Sequence, residues 1–146
     1  MKNELDYAKP ESVLPAFFDE MNGWEIESFP LIKQIPRGAS AEEVSAVYAP
    51  IAERLDRIFE KFCTPKKRKQ GRQNAVAVGS PPDYDSQTQT VVETIYESPR
   101  RAFVETIDHK RFGRKYSYVL LKKGERWLID SKRYFTFDGK LEKDFL

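Results

Sequence analysis

The sequence predicts an α+β fold, with N-terminal helices packed on a curved antiparallel sheet. Three observations carry this. Apolar residues recur at spacings of three and four in two stretches of the first sixty or so positions, Val13 to Met21 and Val44 to Phe62. From Ala75 the period changes to two, the signature of half-buried strands. The alternating runs are separated by short Pro- or Gly-containing turns, the connection that antiparallel neighbours use.

The first helix is read from "KPESVLPAFFDEMNG". Pro10 stands where a first-turn proline is tolerated, and Val13, Leu14, Phe17, Phe18 and Met21 share a face. Asn22-Gly23 reads as its C-terminal stop. The following "WEIESFPLIKQIPRG" holds two prolines and no clean period, so it reads as extended loop with room for a short strand. A second helix opens at "SAEEVSAVYAPIAERLDRIFEKFC". Ser40 and Glu43 form a capping box, and Val44, Val47, Tyr48, Ile51, Leu55, Ile58, Phe59 and Phe62 make an apolar stripe. Pro50 falls inside it and predicts a kink or break.

"TVVETIYE" and "RAFVETID" flank Ser98-Pro99-Arg100-Arg101. With Pro99-Arg100 as the loop, Tyr96 faces Phe103, Ile95 faces Val104 and Val92 faces Ile107, apolar against apolar. "YSYVLLKKGERWLIDSKRYF" predicts a second hairpin around Lys123-Gly124, with Leu120 opposite Trp127 and Tyr118 opposite Ile129. One face then carries Tyr116, Tyr118, Leu120, Trp127 and Ile129. The other carries Val119, Leu121 and Leu128 beside Ser117, Arg126 and Asp130. Both faces are largely apolar, so helices must cover one, and a partner or an inward curl of the sheet the other.

A chain of 146 residues suits a single domain, taken here as residues 1–146. Aromatics at 13% support a packed core, and no apolar run approaches the roughly 20 residues of a membrane helix. "MKNELDYAKPES" lacks the apolar stretch of a secretory signal, and Cys63, the lone cysteine, reads as a buried thiol in a reducing compartment. A cytoplasmic address follows. Net charge is +2, unevenly spread: residues 1–60 hold 6 Lys/Arg against 12 Asp/Glu, and residues 61–146 hold 19 against 11. Such polarity suits association with a charged partner.

The layout, with "YVLLKKGERWLIDSK" (residues 118–132) near the end and "FFDEMNGWE" (residues 17–25) near the start, resembles the nuclear transport factor 2-like fold. Within that fold the chain most resembles bacterial immunity proteins of polymorphic toxin systems. The resemblance implies a cone-shaped sheet, a cognate protein toxin as partner, and no catalysis. It transfers no contact residues, because those differ between members.

Enzymes of the resembled fold work inside the cone, so catalysis here would need polar residues converging there. His109 is the only histidine; Asp108 precedes it directly and so points to the opposite face, which forms no dyad. Tyr116, Tyr118 and Asp130 would suit an isomerase- or dehydratase-like pocket, with tyrosine donating to an oxyanion and a carboxylate moving a proton. The predicted register, however, turns Asp130 away from both tyrosines. Any cavity is expected to be small or filled by Tyr118, Trp127 and neighbouring aromatics. One histidine, one cysteine and no close-spaced ligand set argue against a metal, and no glycine-rich phosphate loop or other cofactor motif occurs. "PKKRKQGR" (residues 65–72) is the densest basic run, but lies between helix and strand where solvated charge is ordinary, which argues against nucleic acid.

For partner binding the candidates are Asp83, Tyr84 and Asp85 in "GSPPDYDSQ". Two prolines stiffen this loop, and an exposed tyrosine between carboxylates suits a protein-binding anchor. Alternatively, the tyrosine folds back onto the sheet. The sequence therefore reads as a toxin-neutralising binding module without cofactor, able also to pair as a homodimer. A small-molecule enzyme or ligand-binding protein of the same fold is the alternative.

Overall fold

The computed structural model describes residues 4–68, 72, 76, 78–79 and 81–146. Helices α1 (Pro10–Lys33) and α2 (Ala41–Phe62) precede strands β1 (Gln89–Ser98), β2 (Arg101–Asp108), β3 (Arg114–Lys123), β4 (Arg126–Phe135) and β5 (Leu141–Asp144). The strands form one antiparallel sheet in sequential order. This is the predicted α+β order. The predicted onset of strand character at Ala75 lies outside the described residues.

α1 does not stop at Asn22-Gly23. It continues through the segment read as loop to Lys33, because Trp24, Glu25 and Ser28 extend the buried stripe of Leu14, Phe17, Phe18 and Met21 by another turn and more. The Trp24 indole N–H donates to the Ile51 carbonyl (2.9 Å), pinning α1 to α2. Pro30 withholds the N–H that the Ile26 carbonyl would receive, but Ile26 lies on an exposed turn, where solvent can reach that carbonyl. The α2 capping box forms as predicted: Ser40 accepts from the Glu43 N–H (3.1 Å) and Glu43 accepts from the Ser40 N–H (3.3 Å). Of the kink or break expected at Pro50, the break does not occur: α2 runs without interruption, and Ile51, Leu55, Ile58, Phe59 and Phe62 are buried.

Both predicted registers shift. At the first turn Ser98 faces Arg101, but bulges at Glu97 and Val92 move the rest, so Tyr96 faces Ala102 and Ile95 faces Phe103. Val92 loses its predicted partner to the bulge, and Ile95 and Tyr96 stay exposed although they face Phe103 and Ala102. In the second hairpin the loop is Gly124-Glu125, with Gly124 at φ 62, and Leu120 faces Ile129 rather than Trp127. A bulge at Asp130 then places Lys132 opposite Tyr118 and Tyr134 opposite Tyr116. In this second hairpin the shift at Leu120 is by two residues and keeps each side chain on its predicted face; the bulge brings Lys132 onto the aromatic one. The core takes in Ala102, Val104, Tyr116, Tyr118, Leu120, Trp127 and Ile129 with both helices, and leaves out Val119 and Leu128. Those two are nonetheless buried on the opposite face, where Arg101 and Arg133 lie over the Phe103 ring and Arg133 donates to Ser117 (3.0 Å).

Candidate functional site

Of the three loop residues singled out for partner binding, Tyr84 is placed inside the protein. Its side chain is 1% exposed, stacked on Phe18 (centroids 5.5 Å apart) and edge-on to Phe17 (5.4 Å). The expectation of an exposed aromatic is thus corrected: the ring finds more apolar surface under α1 than solvent leaves it. The backbone follows. Glu25 of α1 is fully buried, and its carboxylate accepts from the Asp83 N–H (2.7 Å) and from the Arg72 guanidinium, while Asn22 donates to the Tyr84 carbonyl (2.9 Å). A buried carboxylate is tolerated only with such compensation. Asp83 also binds Arg72 and Arg111, so it ties the loop to the turn after β2. Asp85 accepts from the Gln87 N–H (2.9 Å), a local turn brace, and stays half-buried.

The inner face of the sheet is occupied by its own side chains. The Lys132 ammonium stands over the rings of Tyr84 (4.8 Å), Tyr116 (4.6 Å) and Tyr118 (5.8 Å), with Asp144 at 3.7 Å. Burial pushes its pKa down, against the pull of Asp144, and burial pushes the Tyr118 phenol well above its usual value. Asp130 does not join this cage. It accepts from Thr64 (2.8 Å) and Lys66 (3.0 Å); burial opposes its ionisation, but these hydrogen bonds prevail and hold it below its usual value. Trp127 packs away from the cage against Tyr96 (5.9 Å). Beside the cage lies an open cleft of about 450 Å³, lined by residues that include Lys66, Asp130, Lys132 and Asp144. It is larger than the filled cavity expected, although these four charges pair with one another. Cys63 is buried, which pushes its thiol up to about 12 and leaves it protonated and inert.

His109 and Asp108 part as expected. Asp108 is buried and accepts from the Lys110 N–H (3.0 Å), whereas exposed His109 places Nε2 3.1 Å from the Thr90 hydroxyl. In the basic run, Lys66 holds Asp130, Arg68 donates to the Thr64 carbonyl (3.1 Å) and Arg72 holds Glu25; Lys69, Gln70 and Gly71 lie outside the described residues. Two residues that sequence reasoning passed over stand fully in solvent: Phe112 and Phe137. Their signal was an aromatic placed directly in a polar turn, "KRFGRK" and "TFDGK".

The sequence pattern described as NTF2 fold immunity protein matches residues 9–145. The chain belongs to that family. Immunity protein RhsIA of Dickeya dadantii (strain 3937) is similar to it, 33% identical over 132 residues that span 90% of this chain and 91% of that protein. No solved structure matches. Two helices followed by five antiparallel strands agree with the family's fold, and membership carries a toxin-neutralising role in general. Among the described residues no helix is long and apolar enough to cross a membrane.

Proposed function

We propose that this immunity protein neutralises its cognate toxin in the cytosol by stoichiometric protein–protein binding, without catalysis. The observation that carries the reading is the filled inner face: the tyrosines that a pocket enzyme would present to substrate instead enclose the Lys132 ammonium. Recognition is then left to the surface. In this reading the carboxylates of Asp83 and Asp85 contribute to the contact, and Tyr84 serves as the internal post that fixes them. The polarised charge of the two halves would steer and accelerate association. The cleft beside Asp130 keeps a small-molecule role in view, but the internal pairing of its charges favours the protein partner. Titration of toxin activity against added protein tests the reading, since binding and catalysis differ in stoichiometry.

A further inference from the structure

Phe112 and Phe137 are 105% and 113% exposed. Single exposed apolar residues are ordinary, but Phe112 carries a backbone cost that folding does not repay, and both rings stand on braced turns. Phe112 sits at φ 57, directly before Gly113 at φ 73; left-handed backbone is unfavourable for a bulky L-residue, and Phe112 gains no burial in return. Both turns are braced. The Gly113 N–H donates to the Asp108 carbonyl (3.0 Å), and Arg111 binds Asp83. Around Phe137 the Gly139 N–H donates to the Thr136 carbonyl (3.0 Å) and the Thr136 N–H to the Lys140 carbonyl (2.8 Å).

The turns lie at the same end of the sheet, one joining β2 to β3 and the other β4 to β5. Two strand spacings therefore separate them, about 10 Å. Loop 81–88 reaches this end too, through Asp83 on Arg111 and the His109 N–H on the Thr88 carbonyl (2.8 Å). Rigid aromatic tips lose little entropy on docking, which is what an anchor requires.

We propose that Phe112 and Phe137 are paired anchors that enter two apolar pockets of the cognate toxin about 10 Å apart. The pocket for Phe112 is rimmed by carboxylates that meet Lys110 and Arg114, and the pocket for Phe137 offers a cation to Asp138. This assignment rests on the toxin-binding reading above. A bilayer is the other surface that takes exposed phenylalanine beside basic residues. The exposed Asp138 carboxylate beside Phe137 opposes an anionic membrane and favours a protein.

The test titrates the toxin domain encoded beside this chain's gene against wild type, Phe112→Asn, Phe137→Ser and the control Ile26→Ser, with thermal melts of each. Wild type and Ile26→Ser should bind alike, and each phenylalanine variant should weaken binding at least tenfold. Phe112→Asn should melt no lower than wild type, because asparagine accepts left-handed backbone. Unchanged affinity in both phenylalanine variants would overturn the anchors and leave the toxin-binding reading intact. No binding by wild type would overturn that reading itself. Flotation of wild type with phosphatidylserine vesicles, lost in the variants, would reassign the tips to membrane.

Discussion

Tyr84 shows how a single residue's role depends on partners distant in sequence. After two prolines and between two aspartates it reads equally as a surface anchor or as a ring folded inward, and Phe17 and Phe18 of α1 take the ring. Tyr84→Ala should therefore cost about 3–5 kcal/mol of stability, whereas Tyr84→Phe, which keeps the ring contacts, should cost under about 1.5 kcal/mol. Urea denaturation of the two variants decides it; wild-type stability in Tyr84→Ala would contradict the buried position. Asp130 offers a pH test. Its folded pKa lies below the ordinary 3.8, so ionisation favours the folded state. That contribution is complete above 3.8 and is lost as pH falls through the lowered folded value. Asp130→Asn should thus be about 1 kcal/mol less stable than wild type at pH 7, from weakened bonds to Thr64 and Lys66. Denaturation midpoints across pH 2–7 (a range of about this width suffices) should show the gap closing in acid, and a constant gap would refute the assignment.

Among the elements, those specified by near neighbours were legible. The Ser40–Glu43 box and the stripe from Ile51 to Phe62 are local signals, and α2 begins and packs as they require. The second half of α1 was not, because what holds it helical lies elsewhere: Ile51 for Trp24, and Arg72 and the 83–84 backbone for Glu25. The strands were legible as strands, but the bulges at Val92, Glu97 and Asp130 are invisible to an alternation pattern, and they set the register. The bulge at Asp130 also decides that Lys132 enters the tyrosine cage. Continuity of α1 makes a prediction at Gly23, where an added Cβ would meet nothing within 4 Å. Gly23→Ala should raise stability by about 0.5–1 kcal/mol, the gain expected for alanine in a helix interior. Had the helix ended there, as Asn22-Gly23 suggests, alanine would destabilise. Chemical denaturation distinguishes the two.

At the scale of the molecule, the helices cover one face of the sheet, its own aromatics and Lys132 fill the concavity, and the loops at one end remain available to a partner. The α+β order of the sequence anticipated the layering of helices on an antiparallel sheet. The open cleft and the buried Tyr84 required three dimensions, since each depends on segments that meet only on folding, whereas Phe112 and Phe137 had a local signal in their polar turns. The central claim is neutralisation by binding one toxin per immunity protein. The most direct measurement adds increasing protein to a fixed amount of toxin, well above the dissociation constant, and records residual toxin activity over time. Stoichiometric binding gives a linear fall that reaches zero at one equivalent and does not deepen with incubation. Complete loss at far less than one equivalent, progressing with time, would show turnover and contradict it.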